Sequence, residues 1–401
     1  MSNLLALLVG INDYQQNGKT TVPNLTGCVN DINILEAYLK KRFPEANRKI
    51  VKLLEGEATY ENVVKNFGLA HLSQAGAGDI VVFAYSGHGS RELAAPEFAP
   101  YFPEGMMETL VLSDSRWPDR FDLADKELAV LIDRVAKNGA HVAVILDCCH
   151  SGSGPRNLDD FSLGRTRQAS DRTQPRQLAD YLGGHFAQHP KDFHLPASRH
   201  VLLAACGKKE KAHETKNNRG LFSTILMGVL NETQYQQGIS YTQLFTEVRL
   251  RAAKNTNDQH PQIETYGYFN GLQGFLGMGS PAPDAPVKVF FQDGRWNVTM
   301  GAMSGLPTTK AQPATFEILK NGAVVGVAKT VTVGVDESSL HLEFVADENE
   351  QYDARLTSTP EPPLFFQLKA ETDPAAAAML ALSAFKPLYF SLQTDLTNAA
   401  Y

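Results

Sequence analysis

A cysteine and a histidine stand at the ends of two short apolar stretches of this sequence. Residues 142–146 (VAVIL) are followed by DCCHSG, and residues 79–85 (DIVVFAY) are followed by SGHG. Short apolar runs that end in polar residues and glycine are typical of buried parallel strands that lead into loops. Sites in open α/β sheets form beyond the carboxyl ends of the strands. We therefore expect Cys149 and His88 to lie together at one edge of a sheet.

A cysteine beside a histidine can carry out nucleophilic catalysis. The imidazole takes the thiol proton, the thiolate attacks a carbonyl carbon, and the imidazolium then protonates the leaving amine. Glycines on both sides of His88 allow a sharp turn and leave its ring accessible. The alternative for Cys149 is a buried structural cysteine, because free cysteines are among the most buried residues. The glycine-flanked histidine favours the catalytic interpretation.

The neighbours of Cys149 are interpreted as structural. Side chains alternate along a strand, so Cys148 is expected to point away from the side on which Cys149 lies. His150 competes with His88 as the base, but adjacent side chains usually point apart, which places His150 poorly. Consecutive residues cannot easily supply a tetrahedral ligand set, and no spaced Cys/His pair accompanies them. We therefore predict no metal at this motif.

Four sequence blocks occur in an order typical of one peptidase family. They are LLALLVGINDY, LTGCVNDINIL, YSGHG and DCCHSG. Together they resemble the caspase-like cysteine peptidases, most closely the metacaspase branch and its prokaryotic relatives, the orthocaspases. The resemblance covers residues 1–278, and the animal-caspase nucleophile signature QACRG is absent. It implies a caspase-like α/β fold and cysteine endopeptidase activity.

The resemblance also implies the roles of individual residues. The family motif has its nucleophile directly before His-Ser-Gly, which matches Cys149, and its base in Ser-Gly-His-Gly, which matches His88. The backbone N–H groups of Gly89 and Cys149 would form the oxyanion hole, since two fixed donors must lie near the developing negative oxygen.

A specificity pocket for a cation is the next implication of the resemblance. In the metacaspase branch, the positions of Asp31, Ser86 and Asp147 line this pocket. Two carboxylates at its base select a cationic residue, and arginine can be bound bidentately. The alternatives are a helix cap for Asp31 and a strand-end cap for Asp147.

Calcium activation is known for many metacaspases but is not favoured by this sequence. Where the family tends to have Asp-Glu-Thr, this chain reads Met107-Glu108-Thr109, and an Asp-Asp pair is replaced by Asp125-Lys126. Methionine and lysine cannot replace hard oxygen ligands. We therefore predict calcium independence and no cofactor.

Composition limits the class of protein. The chain has 401 residues, 43% of them hydrophobic and 20% charged, which is ordinary for a soluble globular protein of two domains. Its net charge of −7 argues against nucleic-acid binding. No apolar run approaches the length of a membrane span, and residues 4–11 lack the features of a signal peptide. Four cysteines without a disulfide pattern fit a reducing cytoplasm.

Strands that alternate with helices predict a mostly parallel sheet flanked by helices over residues 1–278. The predicted strands are 4–9, 49–54, 79–85, 109–112, 142–146 and 201–205, and the helices are 30–42, 60–72, 123–136, 221–230 and 241–253. Residues 279–286 are a linker by composition. Residues 287–401 are predicted to form a small, mostly-β accessory domain, with an alanine-rich helix at 374–382. A regulatory partner is expected to bind there.

Residues 153–196 interrupt this pattern. They are polar, weakly periodic and rich in arginine, which predicts a mobile loop. An enzyme that cuts after arginine would carry a substrate next to its own site, and we predict self-cleavage after Arg165, Arg167, Arg172 or Arg176 rather than after Arg156. The alternative is a surface loop whose arginines only keep it solvated.

The prediction is therefore a cysteine endopeptidase that cleaves protein or peptide substrates after arginine or lysine. One rival is a catalytically idle caspase-like scaffold that binds partners through its C-terminal domain. The intact cysteine and histidine argue against it. Another rival is a hydrolase of small amides that uses the same two residues, but the long polar loop and the two carboxylates favour peptides.

Overall fold

The protein divides into two compact units, residues 1–281 and 282–401. The computed structural model describes residues 2–14, 22–102, 104–117, 120–149, 165–174, 176–194, 198–207, 210–232, 235, 238–256, 259–266, 269, 271, 273–278, 287–301, 306, 313–334 and 337–358. His150, Arg156, the linker at 279–286 and the predicted elements at 365–368 and 374–382 lie outside these residues.

The first unit alternates strands and helices, as its sequence predicts. Its elements in chain order are β1 (Leu4–Gly10), α1 (Cys28–Arg42), β2 (Arg48–Leu54), α2 (Tyr60–Lys65), β3 (Ile80–Ser86), β4 (Gly89–Leu93), β5 (Met106–Leu110), β6 (Leu123–Ala124), α3 (Asp125–Ala136), β7 (His141–Asp147), α4 (His185–Gln188), β8 (His200–Ala204), β9 (Glu214–Thr215), β10 (Arg219–Gly220), α5 (Leu221–Leu230), α6 (Tyr241–Ala253) and β11 (Gln262–Tyr266).

Six of these strands form the central sheet, in the order β2-β1-β3-β7-β8-β11. The first five are parallel, and β11 pairs antiparallel with β8 at the edge. All seven residues of β1 and of β3 are buried, which is why both read as unbroken apolar runs. Alternate side chains enter two hydrophobic cores, one on each face of the sheet. This is the caspase-like, mostly parallel sheet that the sequence predicts.

The helices differ from the sequence prediction mainly at their ends. Helix α1 begins after Gly27, so Asp31 lies inside the first turn and does not cap the helix. Helix α2 is capped by the Thr59 side chain and ends at Lys65, after which residues 66–70 form a π-turn. Helix α3 begins at Asp125, because residues 123–124 pair with β5. None of the described helices combines the length and the hydropathy needed to cross a bilayer.

A second, three-stranded antiparallel sheet follows β3 directly and has the order β4-β5-β6. The sequence prediction missed β4, whose GSREL pattern is short and contains two charges. It also misplaced β5, which spans 106–110 where residues 109–112 were predicted. This small sheet matters for the site because β4 begins at Gly89, immediately after His88.

The segment between β7 and β8 differs from the expected solvated loop wherever it is described. Arg167 has 0% of its surface exposed and Arg176 has 4%. Residues 178–183 and 190–194 form 3₁₀ turns on either side of α4. Tyr181 and Phe186 pack edge-on against Phe98 at 5.1 Å between ring centroids. The aromatic contacts and two buried guanidinium groups hold this part of the chain in place.

The second unit is an antiparallel barrel of six strands, closed in the order β12-β13-β16-β15-β14-β17. The strands are β12 (Val287–Gln292), β13 (Arg295–Val298), β14 (Thr315–Lys320), β15 (Ala323–Val333), β16 (Ser338–Leu342) and β17 (Tyr352–Ser358). The Asn321-Gly322 turn joins β14 to β15 with both φ angles positive, at 52° and 81°. The predicted mostly-β character is confirmed, although β17 was missed.

Candidate active site

The registers of β3 and β7 bring the predicted catalytic residues to one edge of the sheet. Ser86 at the end of β3 lies directly opposite Asp147 at the end of β7. His88 is two residues beyond Ser86, and Cys149 is two residues beyond Asp147. Parallel strands in register end together, so both residues leave the sheet at the same place.

His88 is held in one tautomer by its hydrogen bonds. Its Nε2 lies 2.8 Å from the carbonyl oxygen of Pro23, which can only accept, so Nε2 carries the proton. Nδ1 is buried and has no hydrogen-bond partner among the described residues. Burial lowers the pKa of His88 to about 4, which keeps the ring neutral at pH 7. Nδ1 is therefore a free proton acceptor.

The glycines around His88 are required by close approaches of the backbone. A Cβ at Gly89 would lie 1.7 Å from the carbonyl oxygen of Cys149, and one at Gly87 would lie 2.5 Å from the Tyr85 hydroxyl. The hydroxyl of Tyr14 accepts a hydrogen bond from the His88 N–H at 2.9 Å. Glycine at both positions lets the turn pass against Cys149 and the two tyrosines.

The thiol of Cys149 is fully buried in this state. Its sulfur accepts the N–H of Ala212 at 2.8 Å and donates to the Ala212 carbonyl at 3.4 Å. Cys148 packs in the core on the opposite face of the sheet from Cys149, as alternation predicts. All four cysteines of the chain are free.

The peptide carbonyl of Arg167 lies between two backbone donors. Its oxygen accepts the N–H of Gly89 at 3.0 Å and the N–H of Cys149 at 3.1 Å. These are the two groups that the resemblance implied for an oxyanion hole. A carbonyl polarised by two fixed donors is ready for nucleophilic attack at its carbon.

The side chain of the same residue fills a pocket lined by carboxylates. The Arg167 guanidinium lies 2.6 Å from Asp31, 3.0 Å from Asp147 and 3.4 Å from Glu214. It also donates to the Ser86 hydroxyl at 2.8 Å. Asp31, Ser86 and Asp147, the three residues predicted to bind a cation, therefore surround one guanidinium.

The electrostatics of this pocket depend on its cation. Burial raises the pKa of Asp31 to about 6, because a carboxylate removed from water is costly and Asp147 is close by, and the Arg167 charge counters this rise. Burial acts against the charge of Arg167 as well, but the surrounding acidic groups, with Asp147 the strongest, raise the pKa of Arg167 well above its ordinary value. The buried carboxylates and the guanidinium stabilise one another's charged forms.

The backbone around Arg167 runs through the site as an extended strand. Before Arg167 it pairs antiparallel with residues 212–214: the Arg167 N–H donates to the Ala212 carbonyl at 3.0 Å, and the Glu214 N–H donates to the Arg165 carbonyl at 2.9 Å. After Arg167, the Ala169 N–H donates to the Gly89 carbonyl at 2.9 Å. The chain is thus bound on both sides of the Arg167–Gln168 peptide bond.

The other three candidate arginines lie elsewhere. Arg165 is exposed and donates to the Asn24 carbonyl at 2.7 Å, and Arg172 lies over the Phe121 ring at 4.8 Å. Arg176 occupies a second buried site, 2.6 Å from Glu127, 3.1 Å from Glu92 and 3.6 Å from the centroid of the Tyr181 ring. Of the four, Arg167 is the one whose carbonyl meets the two donors at Gly89 and Cys149.

Sequence reasoning missed three contributors to the site. Glu214 supplies the third carboxylate and also accepts the Gly27 N–H at 2.7 Å. Pro23 orients His88 through its carbonyl oxygen, and Tyr14 binds the His88 backbone. Only Tyr14 stood in a recognised block, INDY. Glu214 and Pro23 act from loops with no motif, so no sequence signal pointed to them.

The region predicted to lack calcium ligands does not fit a calcium site. Met107 is fully buried, and the Lys126 ammonium donates to the Phe193 carbonyl at 3.1 Å and lies over the Tyr101 ring at 4.9 Å. No cluster of three or more His, Cys, Asp or Glu side chains within the described part of the chain could hold a metal ion. A thioether and an ammonium replace the hard oxygen donors that calcium requires.

Comparison with known proteins identifies the class. The family model of the caspase domain matches residues 3–267, which is well over half of the chain. The chain therefore belongs to the caspase-domain family, a class of cysteine-type endopeptidases.

Among individual relatives, the chain is similar to metacaspases. Metacaspase-7 of Arabidopsis thaliana is 32% identical over 151 residues, which cover 37% of this chain and 34% of the relative. Metacaspase-8 of the same plant is 32% identical over 163 residues (37% and 36%). Metacaspase-1A of Aspergillus fumigatus is 29% identical over 154 residues (37% and 35%). The matched region thus spans about a third of the length of these curated relatives.

Proposed function

We propose that this protein is a cysteine endopeptidase that cleaves after arginine or lysine and first cleaves itself after Arg167. His88 acts as the base and Cys149 as the nucleophile. Asp31, Asp147 and Glu214 bind the cationic side chain before the cut, together with the Ser86 hydroxyl. The substrates are other proteins or peptides with arginine or lysine at this position.

One observation carries the proposal. The Arg167 side chain lies among three carboxylates while its carbonyl oxygen accepts from Gly89 and Cys149, at 3.0 and 3.1 Å. Either feature alone fits a structural role. Together they orient one peptide bond as a substrate would be oriented, with its side chain, its carbonyl and its flanking backbone each bound.

The chemistry follows from the groups at hand. Neutral His88 takes the thiol proton of Cys149 on Nδ1, and the sulfur forms a bond to the carbonyl carbon of Arg167. The N–H groups of Gly89 and Cys149 stabilise the oxyanion that results. Collapse breaks the carbon–nitrogen bond as the imidazolium protonates the amine of Gln168. Water then attacks the thioester with His88 as base, which releases the Arg167 carboxylate and restores the thiol.

The uncut chain is proposed to be a precursor. Arg167 fills the cation pocket completely, so a second arginine cannot enter while it remains there. Cleavage removes the covalent constraint that holds Arg167 in place, and its departure opens the pocket to other substrates. Arginine is favoured over lysine because its planar guanidinium can meet several carboxylates at once, whereas an ammonium is a point charge.

Replacing Arg167 tests the cut directly. Arg167→Gln should lower the rate of cleavage between residues 167 and 168 by at least about 100-fold, because a broken buried ion pair costs about 3–5 kcal/mol. Arg167→Lys should keep the cut at a reduced rate. The measurement is incubation of purified protein followed by mass spectrometry of the fragment ends.

Arg165→Gln is the matched control, since Arg165 is exposed and lies two residues before the proposed cut. It should leave cleavage after Arg167 at the wild-type rate. Fragments that end mainly at Arg165, Arg172 or Arg176 would contradict the assignment. Wild-type protein that stays intact and still hydrolyses arginyl peptides would show that activity does not require the cut.

Removal of divalent cations should have little effect. We expect cleavage of an arginyl peptide to proceed at the same rate in excess chelator as in millimolar calcium, because Met107 and Lys126 stand where the calcium ligands of related enzymes are expected. Calcium titration of a chelator-treated sample checks this. A severalfold stimulation by calcium would show that donors from elsewhere in the chain complete a site.

The idle-scaffold alternative is not favoured, because it leaves the oriented Arg167 peptide bond without a role. The remaining sequence predictions stay part of the proposal. These are a reducing, cytoplasmic setting in which Cys149 stays a free thiol, independent folding of residues 1–278, and a regulatory partner for the barrel.

A further inference from the structure

The residues that follow Arg167 run along the open edge of β4. Gln168 and Arg172 form parallel bridges with Gly89 and Glu92. The Arg172 N–H donates to the Arg91 carbonyl at 2.7 Å, and the Leu93 N–H donates to the Arg172 carbonyl at 2.9 Å. The opposite edge of β4 already pairs with β5. The chain after the proposed cut therefore adds a strand to a preformed sheet, which is a common way to bind an extended peptide.

Each position along this added strand has its own environment. The second residue after the cut, Ala169, is 2% exposed and packs in the hydrophobic core. The carbonyl of the third, Ser170, accepts from the Ser90 hydroxyl and from Arg116, both at 2.9 Å. The backbone is held, and only small side chains fit at the second position.

The fourth residue after the cut meets a cation. The Arg91 guanidinium lies 2.9 Å from the Asp171 carboxylate, and the two side chains are 23% and 17% exposed. Arg91 comes from the same strand, β4, that binds the backbone, and its side chain has a second carboxylate, Glu104, at 3.5 Å. Because the pair is partly shielded from water, it discriminates between charges better than a fully exposed pair.

We propose that β4 is a substrate-binding site for the residues after the scissile bond, and that it selects a small residue at the second position and an acidic residue at the fourth. This inference rests on the proposed cut after Arg167. Arg91 is the specificity-determining residue for the acidic position, and Ser90 and Arg116 fix the backbone next to it. The preferred substrate class is thus an arginyl peptide whose leaving side is Xaa-small-Xaa-Asp/Glu.

A charge-swap cycle in the full-length protein tests the selection. The variants are Asp171→Lys, Arg91→Glu and the double variant, and the readout is the rate at which the new amino terminus at Gln168 appears. Each single variant places like charges opposite each other and should slow the cut by about three- to tenfold. The double variant restores opposite charges and should return to within about twofold of the wild-type rate.

Two controls separate recognition from folding and from chemistry. Glu45→Lys makes the same charge change as Asp171→Lys at an exposed surface position and should cut at the wild-type rate. After processing is complete, each variant should hydrolyse a short arginyl aminocoumarin amide at the wild-type rate, because that substrate has no residues beyond the cut.

The outcomes are distinct. Single variants that cut as fast as wild type, or a double variant no faster than the singles, would overturn this inference and leave the proposed function intact. Equal losses on the aminocoumarin substrate would mean that Arg91 acts through the catalytic groups, and would also overturn it. Wild-type protein that does not cut after Arg167 would overturn the proposed self-cleavage and this inference with it.

Discussion

Cys149→Ala is expected to abolish both self-cleavage after Arg167 and hydrolysis of arginyl peptides. The proposed nucleophile is the atom that forms the thioester, and loss of such a nucleophile costs on the order of 10⁶-fold in kcat. The variant should therefore stay as a single intact chain under conditions in which wild type is fully cut. Gel analysis over time, with the fragment ends sequenced by mass spectrometry, measures this.

Cys148→Ala is the matched control for that substitution. The two cysteines are adjacent and equally buried, at 2% and 0% exposure, but their side chains pack on opposite faces of the sheet. Cys148→Ala should keep most of the activity and lose only some stability through the small cavity it leaves. Turnover by Cys149→Ala at a rate near that of wild type would remove Cys149 from the mechanism.

Asp147→Ala should damage cleavage after arginine far more than cleavage after neutral residues. Asp147 lies 3.0 Å from the Arg167 guanidinium at the base of the pocket, and both side chains are buried. Removing one partner of a buried ion pair leaves the other uncompensated, at a cost of about 3–5 kcal/mol. We therefore expect kcat/KM for arginyl peptides to fall by about two to three and a half orders of magnitude.

The measurement is a panel of fluorogenic peptides that differ only in the residue before the scissile bond: Arg, Lys, Asp or Leu. Glu36→Gln removes one carboxylate from the surface of α1, where Glu36 binds Lys40 and Lys52, and should leave the whole panel unchanged. A wild-type preference for aspartyl peptides would contradict the pocket, as would an equal loss on arginyl and leucyl peptides in Asp147→Ala.

Sequence alone could predict the meeting of His88 and Cys149 because it depends on local patterns. Two apolar runs of similar length become neighbouring parallel strands, and each is followed after two residues by a reactive side chain. The tautomer of His88 could not be predicted in this way. It depends on the carbonyl of Pro23, 65 residues away, and a backbone oxygen leaves no mark on the identity of its residue.

The choice among four arginines was likewise beyond local reasoning. Arg165 and Arg167 are two residues apart in a polar stretch, yet one is exposed and the other fully buried. Their difference comes from pairing with residues 212–214 on one side and with Gly89 on the other. Glu214 reaches the pocket through the same pairing, so missing the strand also meant missing the third carboxylate.

The buried site of Arg176 limits what happens after the chain is cut. Its ion pairs with Glu92 and Glu127 anchor the segment that begins at the new amino terminus, Gln168. The residues between, 168–175, can span at most about 28 Å when fully extended. The amine released from the peptide bond is therefore tethered near the thioester it has just left. Until water hydrolyses that thioester, re-formation of the peptide bond competes with maturation, and the strength of one distant arginine anchor helps to set how often the cut is reversed.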